Sequence, residues 1–431
     1  IVLYRHYTAY SLHNSQFTNK GIMRHRINVS ISPAFYEELK RICKVYGFTN
    51  MCEICTGLLS LFIDRVKNAE SNRGRKVESN EVLIKQMFAE FEKTAHKMME
   101  DGEALTAARL KQWRNRCISD GYEPGSTFKV LTMAAALDCG AITLDTNFSC
   151  SGSEHIPGRS QLLHCWRAKG HGAQKTPQAL QNSCNLAFAH IALKLGGENF
   201  YEYIQRFGVL EKTNIDLSGE SKGVFFDKSL IVDTQKWGTA SLTSASFGQT
   251  FKLTPLQLVR AISSVVNGGN LMEPYLVSQV LDSRGNIVYE AEPTRVRQTI
   301  SPETSKTMCS LITSVVTEGT AKNAQVAGFS IGGKTGTSEK IDVLDENGQP
   351  TLDKIVSFVG IAPMDDPQYI VLVALDTPSR STGIYISGGV MAAPTVGAVM
   401  ADVFEAAGIP TLHCTDMFDR ESYSDAYTLS S

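Results

Sequence analysis

Residues 123–129 read Glu-Pro-Gly-Ser-Thr-Phe-Lys, a Pro-Gly turn that leads into an apolar stretch. The Ala- and Leu-rich residues 130–137 predict a buried helix after this turn. Ser126 and Lys129 are three positions apart at the start of the helix, so they share one face. A serine hydroxyl needs a neighbouring base to become a nucleophile, and a lysine that has lost its proton can serve. Such a spacing alone arises about once or twice by chance in a chain of this length.

A second candidate motif, Ser183-Cys184-Asn185, precedes a helix-like run over residues 186–195. A second hydroxyl near a nucleophile can relay a proton to a leaving group. An Asn amide can hold a substrate carbonyl through its N–H donors. Without a neighbouring signal, Ser-x-Asn is a weak pattern.

A third motif occupies residues 332–338, which read Gly-Gly-Lys-Thr-Gly-Thr-Ser after an apolar strand. Two more strand-like runs follow, at residues 355–361 and 369–375. Lys334 adds positive charge beside a pocket, a glycine lets a substrate backbone lie along a strand edge, and threonine hydroxyls can bind a carboxylate. Considered alone, the segment is a Gly-rich turn. The residues assigned to substrate binding are Thr335, Gly336 and Thr337.

In this order and at these separations the three motifs are a strong signal. Ser-x-x-Lys, a Ser-x-Asn motif and Lys-Thr-Gly form the set of penicillin-binding proteins and class A β-lactamases. Residues 109–410 resemble the transpeptidase domain of class B penicillin-binding proteins, the septation and sporulation branch in particular. The further stretches that carry the resemblance are residues 112–115, 247–249, 253–255, 267–269 and 318–320.

The resemblance implies an α/β fold of the penicillin-binding and serine β-lactamase type. We expect an antiparallel sheet that ends in the strands around Lys334, Ile355 and Tyr369, with a helical subdomain that holds Ser126 and Ser183. It implies D,D-transpeptidation of peptidoglycan stem peptides in cell-wall synthesis and cell division, through an acyl-enzyme that β-lactams also form. No cofactor is needed for that catalysis. The resemblance also implies a location on the extracytoplasmic face of the bacterial membrane, with cell-wall glycosyltransferases as partners.

Residue roles follow from the same resemblance. Ser126 is the nucleophile and Lys129 its base, while Ser183 and Asn185 shape proton transfer and substrate binding. Lys334 and the residues that follow it in the third motif line the wall of the site opposite these groups. The oxyanion would lie between the backbone N–H groups of the nucleophile and of the second threonine of the third motif.

Two departures from the family pattern stand out. Family members carry two sheet strands upstream of the nucleophile, whereas residues 68–113 have helical patterning. We therefore expect a sheet that lacks its first two strands and, for this reason, an uncertain activity. No membrane anchor, pedestal or signal sequence is visible, and no run of 18 or more apolar residues occurs.

The N-terminal part resembles a different family. Residues 1–76 hold 12 Lys and Arg against 5 Asp and Glu, although the whole chain has a net charge of −2. Alternation over residues 26–32 predicts a strand, and two short amphipathic helices follow, as in ribbon-helix-helix proteins. That resemblance implies DNA contacts by Arg26, Asn28 and Ser30. The alternative is a small helical unit with a solvated basic face.

The resulting domain layout has five parts. We expect an unassigned leader, an α-rich ribbon-helix-helix-like unit, a linker with helices, the transpeptidase domain and a tail. Their bounds are residues 1–22, 23–67, 68–108, 109–410 and 411–431.

Three cysteines and a histidine lie within 35 residues between the first two motifs: Cys150, Cys165, His171 and Cys184. Three thiolates and one imidazole make a complete tetrahedral set for a structural Zn²⁺. The alternatives are a Cys165–Cys184 disulfide in an oxidising compartment, or unlinked buried thiols. Because Cys184 is the middle residue of the second motif, either link would couple the cluster to the active site.

Two other functions fit parts of the sequence. One is a β-lactamase-like hydrolase, but no Glu-x-x-x-Asn deacylation segment lies between the second and third motifs, which disfavours class A. The other is a DNA-binding fusion protein with an inactive transpeptidase remnant. Salt-dependent DNA binding without acylation would favour the latter.

Overall fold

The computed structural model describes residues 2–5, 114–233, 238–340 and 353–409, together with residues 343, 346, 348, 349 and 351. Residues 2–5 and the described residues from Arg116 onward belong to one compact unit. The predictions for the ribbon-helix-helix-like unit, its contacts Arg26, Asn28 and Ser30, the linker and the tail fall outside the described residues. They stay predictions.

The strands and helices occur in groups along the described chain. The strands are β1 (Val2–Arg5), β2 (Asn147–Cys150), β3 (Ser153–Glu154), β4 (Leu163–His164), β5 (Gly172–Lys175), β6 (Asn270–Met272), β7 (Gln279–Leu281), β8 (Ile287–Glu290), β9 (Arg295–Gln298), β10 (Gly332–Glu339), β11 (Lys354–Ala362) and β12 (Tyr369–Asp376). The α-helices are α1 (Arg116–Ser119), α2 (Lys129–Asp138), α3 (Thr176–Gln181), α4 (Asn185–Leu195), α5 (Gly197–Arg206), α6 (Lys228–Val232), α7 (Gly238–Ser246), α8 (Pro255–Val266), α9 (Pro302–Thr317) and α10 (Ala393–Ala407). Shorter helical turns are the 3-10 segments Gly125–Phe128, Lys322–Ala324 and Arg380–Thr382, and a π-helical turn at Gly388–Ala392.

The main sheet has four antiparallel strands in the order β1-β12-β11-β10. In the register of the sheet, Lys334 on β10 pairs with Val359 on β11. Val359 pairs with Leu372 on β12, and Leu372 pairs with Val2 on β1. Residues 356–362 of β11 are all buried, so this central strand is covered on both faces. Within the described residues β10 is an edge strand, so one of its edges pairs with no other strand there and can face a ligand.

The predicted strands at residues 355–361 and 369–375 are confirmed by β11 and β12. The expectation of a sheet without either upstream strand is wrong for one of them, because β1 pairs with β12. The expectation failed because four residues at the start of the chain are too few to show a strand periodicity. No second strand upstream of Ser126 pairs with the sheet within the described part of the chain.

The helical subdomain is built around α2. Every residue from Lys129 to Ala136 is buried, and α2 packs against α4, α8 and α9. The carboxylate of Asp138, at the end of α2, accepts hydrogen bonds from the backbone N–H and the hydroxyl of Ser301 at 2.8 Å each. Because Ser301 caps the first turn of α9, this contact fixes the two helices end to end.

Among the residues that the structure describes, the helical stretch Gly388–Ala407 is long and apolar enough to cross a membrane. It contains α10, whose side chains Val396, Met400 and Phe404 are buried. A core helix meets the same criteria, and α10 packs against β11. One face of α10 therefore contributes to the core, and 33% of the apolar window is buried.

Candidate active site

The three sequence motifs meet at the hydroxyl of Ser183. Lys334 Nζ donates to Ser183 Oγ at 2.9 Å, and Lys129 Nζ lies 3.3 Å from the same oxygen. Lys129 also donates to the backbone oxygen of Ser183 and to Asn185 Oδ1, both at 2.7 Å. The structure thus brings three residues from the helical subdomain and one lysine from the sheet edge into a single polar network.

Ser126 lies in the 3-10 turn that leads into α2. The turn is held on one side by a hydrogen bond from Gly125 N to Gly248 O, at 2.9 Å. On the other side a Cβ at Gly125 would lie 2.9 Å from Thr337 O, so the backbone of β10 runs directly alongside. Because φ at Gly125 is +55°, a residue with a side chain would also be strained there.

The Ser126 hydroxyl forms no hydrogen bond with another described residue. The bond to Lys129 that a nucleophile–base pair implies is not made in this structure, since the Lys129 amine is turned toward Ser183 and Asn185. Ser126 remains half-buried and open to the cleft. Hydrogen bonds of this kind often tighten only when a substrate is bound.

Burial controls the charge of both lysines. Desolvation lowers the pKa of Lys129 to about 7, and the charges of Cys184 and Cys165 oppose that shift. Desolvation also lowers the pKa of Lys334, and the positive charge of Lys129 lowers it further. A neutral lysine amine is therefore accessible near neutral pH, as a general base requires.

The backbone of Ser183 has φ of +51°, the left-handed region that residues with side chains rarely adopt. The turn is held by hydrogen bonds from Ser183 N to Leu180 O and from Cys184 N to Ala179 O, both 3.1 Å. Lys129 secures the same residue by binding its carbonyl oxygen. The surrounding contacts thus maintain a conformation that costs on the order of 1–3 kcal/mol.

The predicted substrate-binding residues lie on β10 next to the nucleophile turn. A Cβ at Gly336 would lie 2.9 Å from Pro124 O, which explains why this position carries no side chain. Thr335 is buried, and its hydroxyl lies 3.2 Å from that of Thr320. The Thr337 hydroxyl accepts a hydrogen bond from Gly388 N at 3.5 Å.

The four predicted metal ligands also come together. One ligand atom from each of Cys150, Cys165, His171 and Cys184 lies within 4.8 Å of the others. Cys165 Sγ is 3.6 Å from His171 Nδ1 and 3.9 Å from Cys184 Sγ. Ligands of a tetrahedral Zn²⁺ with Zn–S bonds of about 2.3 Å are roughly 3.4–3.8 Å apart. The two measured distances lie near this range, and the four residues are the ones that could hold such an ion.

The pKa shifts within the cluster differ from ligand to ligand: those of Cys165 and His171 favour the metal-binding forms, and that of Cys184 favours the neutral thiol. Its hydrogen bond with Cys184 lowers the pKa of Cys165 to about 4, and the same bond raises the pKa of Cys184. Burial lowers the pKa of His171, which favours the neutral imidazole that binds metals. The 3.9 Å between the two sulfurs is far longer than a disulfide bond of about 2.05 Å, so the cysteines are free here.

The cluster is fastened to the Ser183 turn through three consecutive residues. His164 O accepts a hydrogen bond from Asn185 Nδ2 at 3.3 Å. Cys165 contacts Cys184, and Trp166 Nε1 donates to the backbone oxygen of Asn182 at 3.0 Å. Metal binding or disulfide formation in the cluster would therefore act directly on the turn.

Sequence reasoning missed two residues of this site, Trp166 and Thr320. Trp166 is 58% exposed although it sits beside the Ser183 turn, and no periodicity distinguishes it from other loop residues. Thr320 belongs to the Glu-Gly-Thr stretch at residues 318–320, which carried the family resemblance but no assigned role. Its contact with Thr335 depends on a chain reversal that the sequence does not reveal.

A buried lysine pair around a serine hydroxyl, beside a half-buried serine at a helix start, defines a class of serine acyl-transferases. The family model of the penicillin binding protein transpeptidase domain matches residues 78–401. The chain belongs to this family. The match begins upstream of residue 109, which is the predicted start of the transpeptidase domain.

Named relatives agree with this membership. The chain is 40% identical over 301 residues to stage V sporulation protein D of Bacillus subtilis, covering 69% of this chain and 44% of that protein. It is 31% identical over 315 residues to penicillin-binding protein PbpB of Mycolicibacterium smegmatis, covering 70% and 46%. The chain thus spans less than half the length of these two relatives.

A solved structure shares the fold. The transpeptidase domain of Burkholderia pseudomallei penicillin-binding protein 3, in its apo form, superposes with a TM-score of 0.58 at 25% sequence identity. The comparison covers 69% of this chain and 83% of that domain. The predicted fold class is confirmed by this similarity and by the sheet and helices described above.

Proposed function

We propose that this protein is a peptidoglycan D,D-transpeptidase that cross-links stem peptides through an acyl-enzyme on Ser126. The observation that carries the proposal is the network beside the Ser126 turn, in which Lys129 and Lys334 both contact Ser183 and Lys129 also donates to Asn185. Peptidoglycan D,D-transpeptidase is also the printed name of several relatives. The activity belongs on the extracytoplasmic side of the membrane, where the stem peptides are and where cell-wall glycosyltransferases would be its partners.

The chemistry begins with a stem peptide along the free edge of β10. Thr335 and Thr337 hold its terminal carboxylate, and the backbone N–H groups of Ser126 and Thr337 surround the oxygen of the reacting carbonyl. Lys129, neutral because burial lowers its pKa to about 7, takes the Ser126 proton as the oxygen attacks. A C–O bond forms and the amide C–N bond breaks.

The leaving amine needs a proton as it departs. Ser183 lies between the two lysines and can pass one from Lys334 or Lys129, because its hydroxyl contacts both. The amine of a second stem peptide then attacks the ester carbonyl. Its proton returns through the same groups, the Ser126 hydroxyl is regenerated, and the two peptides are joined by a new amide.

Acylation by a β-lactam tests the nucleophile. Incubation with benzylpenicillin should add one acyl group to the wild-type protein and none to Ser126→Ala, measured by intact mass spectrometry. Ser283→Ala, an exposed serine in the β7–β8 turn, is the matched control and should label like the wild type. Labelling that persists in Ser126→Ala would sink the assignment.

We also propose that Cys150, Cys165, His171 and Cys184 hold a structural Zn²⁺. The support is the donor set and the proximity of its ligand atoms, which lie within 4.8 Å of one another. A metal there would fix the backbone of Cys184 and so the position of its neighbours in the second motif. It takes no part in the acyl transfer.

Metal analysis tests the zinc proposal. The purified protein should contain about one equivalent of zinc, and a chelator should lower its melting temperature because metal binding is coupled to folding. Cys165→Ser and His171→Ala should each reduce the metal content, whereas Cys139→Ser, an exposed cysteine outside the cluster, should not. Metal-free protein with two fewer free thiols and a mass about two daltons lower would instead establish the disulfide.

A further inference from the structure

The turn Glu318-Gly319-Thr320 follows α9 and is fastened to the segment that leads into Ser183. Gln181 Nε2 donates to Glu318 Oε2 at 3.1 Å, and Thr320 N donates to Gln181 O at 3.2 Å. A Cβ at Gly319 would lie 2.8 Å from the same Gln181 oxygen. The backbone of this turn therefore packs against the α3 end of the cleft without room for a side chain at Gly319.

The same turn reaches the opposite wall of the cleft. Thr320 Oγ1 lies 3.2 Å from Thr335 Oγ1 on β10, and both side chains are at least half-buried. One short segment thus contacts the wall that carries Ser183 and the wall that carries Lys334. Its position beside both walls makes it suited to setting the geometry between them.

The number of hydrogen bonds that a hydroxyl can form restricts the direction of the Thr335 proton. A hydroxyl has one proton to donate and two lone pairs to accept. Lys334 Nζ donates toward Thr335 Oγ1 at 3.4 Å, and Thr320 is the other neighbour of that oxygen. When Thr320 donates as well, both lone pairs are filled, and the Thr335 proton must point away from both donors.

We propose that Thr320 is a positioning residue that turns the Thr335 hydroxyl proton toward the carboxylate of the substrate. This role rests on the proposed function, because it needs a carboxylate bound at Thr335. A carboxylate accepts hydrogen bonds only, so an oriented O–H donor is the group it requires. Thr320 itself touches neither the substrate nor the reacting atoms.

Two probes that differ only in the carboxylate distinguish this role from a general effect of Thr320 on acylation. Acylation rates are measured by intact mass spectrometry with benzylpenicillin and with its methyl ester, for the wild type, Thr320→Val and Thr320→Ser. Thr320→Val keeps the shape but removes the donor, so the acid should react roughly two- to tenfold more slowly and the ester at an unchanged rate. Thr320→Ser keeps a hydroxyl and should retain the wild-type ratio of acid to ester.

The acid-to-ester ratio is measured on one sample, so it does not depend on the fraction of each variant that is folded. Thr317→Val is the matched control, since the exposed Thr317 hydroxyl donates to the carbonyl of Thr313 within α9 and bonds to no other residue that the structure describes. In a Thr335→Val background, Thr320→Val should cause no further loss, because the group it orients is gone.

Three results would overturn the proposal. They are an unchanged ratio in Thr320→Val, an equal loss with both probes, and a loss in Thr320→Ser as large as that in Thr320→Val. If the proposed function is wrong, a different result is expected: neither probe acylates the wild type. That result would overturn the role of Thr320 as well.

Discussion

Lys129 is the residue whose surroundings determine the chemistry. It is fully buried, its amine has three polar neighbours on Ser183 and Asn185, and the rings of Phe188 and Phe247 lie 5.2 and 6.0 Å from its Nζ. The rings stabilise a cation weakly, whereas desolvation disfavours it strongly. The balance leaves the pKa near neutrality, where the amine can both accept and return a proton.

Replacement of Lys129 by arginine should be nearly as damaging as replacement by alanine. Arginine keeps the positive charge but cannot be deprotonated in a protein, so it cannot take the Ser126 proton. Both variants should lower the β-lactam acylation rate by about 10²–10⁴-fold. Lys194→Arg, at an exposed position on α4, should react like the wild type. Substantial acylation by Lys129→Arg would mean that the residue contributes only its charge.

The same pKa predicts a pH dependence. Because the active form of Lys129 is the neutral amine, the acylation rate of the wild type should rise as pH increases through about 7 and then level off. Stopped assays from pH 5.5 to 9 with benzylpenicillin would record the profile. A rate that is flat or falls across this range would contradict a neutral Lys129 base.

Contacts between elements, and not single residues, hold the cleft together. β10 runs along the 3-10 turn that carries Ser126, and the glycines at the contact let two backbones approach closely. The sequence identified these motifs because their residue types are specific. It could not show that Ser183 adopts a left-handed backbone, or that Lys129 is bonded to Ser183 instead of Ser126, since both depend on contacts between segments more than 50 positions apart.

The contact between β10 and the nucleophile turn predicts the effect of Gly336→Ala. The new Cβ would lie 2.5 Å from Ser357 Oγ and 2.9 Å from Pro124 O, so β10 must move away from the turn. A shift of about 1 Å can lower the rate of acylation by roughly 10²-fold, while overpacking costs about 1–3 kcal/mol of stability.

The control for this variant is Gly140→Ala. Gly140 has φ of +71° but no atom within 4 Å of an added Cβ, so alanine there costs about 1–2 kcal/mol of backbone strain without touching the cleft. Acylation rates and thermal melts of both variants separate the two effects. If Gly140→Ala slowed acylation as much as Gly336→Ala, loss of stability alone would explain both.

At the scale of the whole molecule, the compact unit joins the first residues of the chain to the last strands of the sheet. The strands expected around Lys334, Ile355 and Tyr369 are three of the four strands of the sheet, because each segment is long enough to display its pattern. β1 has four residues, and its partner β12 lies near the other end of the sequence. Pairing over such a separation leaves no local signal, so the structure was needed to reveal it.

Replacement of residues 1–5 by Gly-Gly-Ser-Gly-Ser should therefore destabilise the sheet. β12 would lose the hydrogen bonds of a four-residue ladder and become an exposed edge, with a net cost of about 1–3 kcal/mol after the ordering entropy of β1 is recovered. We expect a lower melting temperature and a greater tendency to aggregate, because an uncovered strand edge can pair with another chain. Acylation of the folded fraction should persist, since β1 lies at the opposite edge of the sheet from β10. A melting temperature equal to that of the wild type would show that β1 contributes nothing to the stability of the sheet.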